Sequence, residues 1–175
     1  MALTTTDIDA AADDIANADV LLLQLETPVA ASEHAAAIAK AHRTTVILNP
    51  APAQPLPDSL LASVDILTPN QSETELLSGV KVDNHEGTAV VLTLGEQGAL
   101  MLTATESEHV SALTVDAVDT TGAGDAFCGA LATALASGEA LRTAVGFANA
   151  AGAAAVTVVG ATPSMPTRAK IARLT

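Results

Sequence analysis

Short runs built almost wholly of valine, leucine and isoleucine alternate along this chain with alanine-rich stretches of helical spacing. A strand without polar positions must be covered on both faces, and strand-helix-strand crossovers achieve that with a parallel sheet. Ile8, Ala11, Ala12 and Ile15 recur at helical spacing between Asp7 and Ala18, and Val20 to Leu25, polar only at Gln24, reads as a strand buried on both faces. Pro28 to Ala41 suits a helix with proline near its first turn, Thr45 to Leu48 a second buried strand, Pro57 to Val64 a short helix, and Ile66 to Thr68 a third short strand. Gln71 to Leu77 reads as a helix stopped by Gly79; Ala89 to Leu94 and Ala99 to Thr103 read as strands joined by the GEQG turn, and His109 to Leu113 as a further strand. Two alanine-rich helices follow, Gly124 to Ser137 and Glu139 to Ala155, with Gly138 as the stop between them. The pattern predicts an α/β fold, a mainly parallel sheet flanked by helices on both faces. It opens on a helix leading into a strand of central character, as though the chain joined a sheet part-way through.

A chain of 175 residues is long enough for one domain, residues 1–175, that buries about 70% of the surface its unfolded form exposes. Its core must be aliphatic, because Phe127 and Phe147 are the only aromatic residues, and large platforms for stacking bases are absent. The formal net charge of -13 repels a polyanionic backbone and argues against nucleic acid as a partner. Any phosphate must be held by local geometry instead. Cys128 stands alone, and His34, His42, His85 and His109 lack metal-ligand spacing. The acidic N-terminal stretch is unlike a signal peptide, and the long uncharged run 143–167 carries three glycines and two prolines, which suits no membrane span. A soluble, cytoplasmic protein is the expectation.

The strongest chemical signal is DTTGAGDAF, Asp119 to Phe127, where glycines immediately precede a helical apolar pattern. Backbone N–H groups at a helix N-terminus, reinforced by the macrodipole, form an anion site without a lysine. A Walker A loop would place lysine where this sequence has Asp125. A carboxylate beside an anion site needs other work, and accepting a hydroxyl proton during phosphoryl transfer is such work. The same residues also suit simple helix capping by Thr121 or Asp125. Asn70 to Glu73, NQSE, fits a capping box, and fits equally a pair that orders magnesium-bound water and phosphate at the carboxyl end of a sheet. TLGEQG, Thr93 to Gly98, is either a hairpin turn needing glycine at positive φ or a strand-end loop that docks a nucleotide. Cys128, on the apolar face of the following helix, reads as a packing residue.

In order along the chain, these pieces resemble the ribokinase branch of the PfkB carbohydrate kinase family. DTTGAGDAF is similar to that family's C-terminal signature and TPNQSETELLSG to its NxxE segment, and ADVLLLQLETP, LNPAPAQPLPDSLLASVDILTPN and FANAAGAAAVTVVGATPSMPTR extend the similarity over nearly the whole chain. The resemblance implies transfer of the γ-phosphate of ATP to the 5-hydroxyl of ribose, with magnesium, and potassium as activator. It implies Asp125 as catalytic base and the amides of Gly122, Ala123 and Gly124 as an anion hole. Asn70, Glu73, Thr93, Gly95, Gly98, Gly124 and Asn149 would serve nucleotide and magnesium, and Glu26 would contact the sugar together with Asp125. Asp119, Thr121, Ala155, Val158, Gly160 and Ser164 match the potassium loop, whose oxygen donors suit a hard cation.

The family's first strands, its paired-glycine sugar motif and its β-rich lid have no counterpart in this sequence. Their absence is expected to leave a sheet edge that invites a second copy or a complementing chain. Three functions remain open: a ribose kinase, a nucleotide-binding or regulatory module without turnover of its own, and a kinase for another PfkB sugar or nucleoside.

Overall fold

The computed structural model describes residues 2–76 and 87–174. Leu77, Gly79 and His85 lie outside the described residues. The strands follow one another in the order β1-β2-β3-β4-β5-β6, and the chain divides into two compact units, Met1–Leu92 with Leu102–Glu106, and Thr93–Met101 with Ser107–Thr175.

The first unit contains α1 (Thr5–Ala10), α2 (Ala12–Asn17), β1 (Val20–Leu23), α3 (Val29–His42), β2 (Thr45–Leu48), α4 (Asp58–Leu61), β3 (Ile66–Leu67) and α5 (Gln71–Leu76), and β4 (Ala89–Thr93) runs out of it. As the aliphatic runs imply, the pairings β1-β2, β2-β3 and β3-β4 are parallel, with Val20 opposite Thr45, Ile47 opposite Ile66 and Leu67 opposite Val90. Val46, Leu48, Ala36, Ala39 and Leu60 are fully buried and lie together in this core, and Ile47 between them on β2 is fully buried too. Polar clips fix its corners. Asp65 accepts from the Val46 N–H at 2.8 Å and from Lys40 Nζ at 3.2 Å, and the Thr44 hydroxyl donates to the Ile15 carbonyl at 2.9 Å.

Two expectations change in this unit. The first helical stretch is two helices with a break at Ala11, whose N–H turns back to the Ile8 carbonyl at 3.0 Å, and the opening helix starts earlier at a Thr4–Asp7 capping box. Strand β1 is neither central nor buried on both faces. It ends at Leu23 and occupies the end of the strand order, so among the described residues no strand flanks it on one side, and Leu22 is 36% exposed.

The second unit holds β5 (Ala99–Leu102), β6 (Ser107–Val110), α6 (Ala123–Ala136), α7 (Leu141–Ala155), α8 (Ala161–Ser164) and α9 (Arg168–Ile171). β6 begins two residues and ends three residues earlier than the apolar pattern suggested, and the backbone beyond Val110 lies against Gly98 and Asn149 instead. Helices α6 and α7 pack together along their length. Ala126, Ala130 and Ala134 on one, and Ala144, Ala148 and Ala151 on the other, are buried, and side chains this small let helix axes approach closely. Cys128 is buried in the same layer, as a packing residue should be. Gly138 stops α6 at φ 83°, as the sequence implied, and α7 begins at Leu141 rather than Glu139 because Ala140 is extended. The short helices α8 and α9 were not foreseen; a single turn carries too little periodicity to be read.

Candidate active site

The glycine-rich segment turns into α6 through Gly122, the N-cap, at φ 77°. A side chain there would be strained by the positive φ, which favours glycine, and would press on Ala161 Cα at 3.3 Å, while the Met165 methyl at 2.8 Å is the end of a flexible side chain that can yield. Capping by Thr121 is not what forms this terminus. The Thr121 N–H donates instead to Asp119 Oδ1 at 2.9 Å, and the N-cap residue has no side chain. The Ala123 N–H reaches back to the Thr120 carbonyl at 3.2 Å and the Ala126 N–H to the Gly122 carbonyl at 2.9 Å. Gly124 and Asp125 occupy the first turn and are exposed. A cleft of about 290 Å³ opens beside Asp125, walled by Gly129 and Thr133 of α6, Phe147 of α7, Met165 and Arg168. The Arg168 guanidinium stands 5.8 Å from the Phe147 ring centre, a cation-π approach that sequence reading missed because the two residues lie 21 positions apart on separate helices.

Asp119 ties this loop to the one following α7. Its Oδ2 accepts from the Gly160 N–H at 2.7 Å, and that bond, helped by Thr121, holds its carboxyl below the usual carboxylate range. The Val118 and Asp119 N–H groups donate to the Val156 carbonyl at 2.8 and 3.2 Å, and the Val158 N–H donates to the Ala155 carbonyl at 3.0 Å. Ser164 is fully buried, its hydroxyl donating to the Ala161 carbonyl at 2.6 Å. Asp119, Thr121 and Gly160 are thus brought together by direct bonds, Ala155 and Val158 by another, and Ser164 sits one short helix beyond Gly160. A carboxylate and backbone carbonyls are the oxygen donors a hard monovalent cation takes, and each carbonyl retains a second lone pair.

Also in the second unit, Gly95 opens the tight turn Gly95–Gln97 at φ 59° and Gly98 closes it at φ 101°, with Leu94 between the turn and Thr93. Asn149 is buried in α7, its side-chain amide directed at the Val110 and Ser111 carbonyls. Sequence reading did not single out those two carbonyls, because a backbone acceptor leaves no mark in residue type.

In the first unit, Asn70 and Glu73 form the full reciprocal capping box. Asn70 N–H and Nδ2 donate to the two Glu73 carboxylate oxygens at 2.8 and 2.9 Å, and the Glu73 N–H donates to Asn70 Oδ1 at 2.9 Å. The cap therefore exists, and it orders a carboxylate that keeps lone pairs for water or a cation. Glu26 is exposed in the segment after β1. Among the described residues, no three His, Cys, Asp or Glu side chains gather as a metal cluster, and no helix is long and apolar enough to cross a membrane.

The family model described as pfkB family carbohydrate kinase matches residues 1–168. The chain is 43% identical over 180 residues to a ribokinase of Staphylococcus aureus strain COL, covering 95% of this chain and 59% of that protein. Among solved structures, a ribokinase of Thermotoga maritima superposes with a TM-score of 0.88 at 35% identity over 98% of this chain and 60% of that one. The Arabidopsis thaliana ribokinase complexed with ribose and ATP gives a TM-score of 0.87 at 33% identity, over 95% of this chain and 58% of that one. The chain spans somewhat under two thirds of the length of each.

Proposed function

The chain belongs to the pfkB family of carbohydrate kinases, and from that premise we propose that it is the nucleotide-binding, base-bearing portion of an ATP-dependent kinase that phosphorylates ribose at the 5-hydroxyl. The observation that carries the reading is the α6 terminus, where a glycine N-cap at positive φ opens the first turn and the exposed Asp125 stands in it beside a cleft. Asp125 accepts the proton of the sugar hydroxyl as its oxygen attacks the γ-phosphorus; the bond from phosphorus to the bridging oxygen breaks, and ADP leaves. The amides of Gly122, Ala123 and Gly124 stabilise charge on the transferred group, Ala123 exchanging its 3.2 Å bond to Thr120 for a phosphate oxygen.

Thr93, Gly95, Gly98, Gly124 and Asn149 serve the nucleotide, and Glu26 contacts the sugar. Magnesium, when bound, neutralises phosphate charge, and the Asn70–Glu73 pair would hold its water shell. The loop of Asp119, Thr121, Ala155, Val158, Gly160 and Ser164 would hold potassium, ordering the entrance to α6. A second copy or a complementing chain would pair with the edge of β1, and a cytoplasmic setting fits ATP as donor.

A second reading is a nucleotide-binding module without turnover of its own. Orienting a hydroxyl against its base is worth about 7 to 11 kcal/mol of barrier, so a chain that binds ATP without orienting a sugar would show no turnover. The test is to incubate the purified chain with ATP, magnesium, potassium and ribose and identify products by phosphorus NMR. A ribose ester at C5 formed with ADP is the expected result. An ester at C1, or ATP loss independent of ribose, overturns the reading; ATP binding by folded protein with no ester selects the second.

A further inference from the structure

Helix α7 ends without a cation of its own. It runs for 15 residues, its last turn contains no basic side chain, and the negative end of its dipole falls at Ala155. The last carbonyls of a helix lack partners within it, and here they are taken up from outside. The Ala155 carbonyl accepts from the Val158 N–H at 3.0 Å, and the Ala154 carbonyl accepts from two side chains, the Thr157 hydroxyl at 2.8 Å and Lys170 Nζ at 3.2 Å. Lys170, half-buried on α9, therefore brings the positive charge that this helix end favours, in a charge-assisted bond to a fully buried residue. Its backbone is fixed as well: the Lys170 N–H donates to the Thr167 hydroxyl oxygen at 3.2 Å, and the next residue, Ile171, is buried.

Two residues beyond Ala154, the Val156 carbonyl accepts from both the Val118 and the Asp119 N–H, at 2.8 and 3.2 Å. Asp119 in turn holds the Gly160 N–H at 2.7 Å and the Thr121 N–H at 2.9 Å, and Gly122 follows as the N-cap of α6. The glycine-rich entrance thus hangs from the turn that closes α7, and Lys170 grips that turn from α9. Lys170 does not line the cleft beside Asp125, so it reaches the entrance through backbone alone.

We propose that Lys170 is a positioning residue for the entrance to α6: its ammonium holds the end of α7 so that the Val156 carbonyl keeps Val118 and Asp119, and with them the amides at Gly122 to Gly124, set for the terminal phosphate of ATP. This rests on the reading of that entrance as the phosphate site. The experiment is calorimetric titration of the purified chain, with magnesium, using ATP and AMP, on wild type, Lys170→Met and Lys170→Arg, each checked for folding by circular dichroism. Lys170→Met keeps the aliphatic stem and loses the ammonium; it should weaken ATP at least about fivefold and AMP less than about twofold, since AMP lacks the phosphate that the α6 amides would hold. Lys170→Arg, which still donates with a positive charge, should return ATP to within about twofold of wild type. Should Lys170→Met not fold, Thr157→Val, which strips the same carbonyl of its other donor, is read in its place with the same expectation. A loss shared equally by ATP and AMP marks a general loosening of the unit and overturns the proposal. An unchanged ATP affinity overturns it too, as does an arginine variant as weak as the methionine one. Folded wild-type chain that holds ATP no tighter than AMP, or binds neither, overturns the phosphate reading and the proposal with it.

Discussion

Replacing Gly98 by alanine tests how tightly the turn at Gly95–Gln97 is packed against the backbone that leaves β6. Gly98 has φ 101° and ψ -129°, a conformation open essentially to glycine, and holding another residue there costs on the order of 1 to 3 kcal/mol. The new methyl carbon would lie 2.2 Å from the Val110 carbonyl oxygen and 2.8 Å from the Ser111 carbonyl carbon, both backbone atoms with no rotamer to yield. Relief needs a shift of Val110–Ala112 by about 1 Å, which stretches the Asn149 bonds, each worth about 0.5 to 1.5 kcal/mol. The sum is roughly 2 to 6 kcal/mol, or a fall in Tm of about 4 to 24 °C for a chain of this size. Urea unfolding followed by circular dichroism, with a thermal melt alongside, measures both. A variant within about 1 kcal/mol of wild type would refute the reasoning, because it would mean that the turn is not pressed against the β6 exit.

Gly146→Ala should do the opposite: its added Cβ meets nothing within 4 Å inside α7, so the helix should gain about 0.5 to 1 kcal/mol, and a lower urea midpoint would contradict that. Asp119→Asn should lower stability at pH 7. Because the Gly160 N–H holds the Asp119 carboxyl below its ordinary value near 3.8, the carboxylate's contribution is present above that value and lost as pH falls through the lower one. The gap between wild type and variant in urea midpoint should accordingly close on acidification, and a gap that widened would contradict the Asp119–Gly160 lock.

The alternation of aliphatic and alanine-rich segments made the parallel sheet and the positions of β2, β3, α3, α6 and α7 legible, because a doubly covered strand and a packed helix each impose a period on their residues. What misled was exposure at the end of the sheet. Leu21 to Leu23 have the composition of a covered strand, and only the strand order reveals that among the described residues β1 has no neighbour on one side. The capping box at Asn70 and Glu73 was readable because it is local. The Asp119–Gly160 bond crosses 41 residues, and the resemblance placed both residues in one loop without giving the bond. The grip of Asn149 on two backbone carbonyls was beyond reach of the sequence, since every residue offers the same carbonyl.

The most direct test of the central claim is ADP formation with ribose, magnesium and potassium by the kinase containing this chain, compared between wild type and Asp125→Asn, with nucleotide affinity measured on the same preparations. The expected result is ribose-dependent turnover that falls by roughly 100-fold to 10,000-fold in the variant while ATP affinity is nearly unchanged, as removal of a general base requires. Near-normal turnover in Asp125→Asn would contradict the account and take the base role away from Asp125.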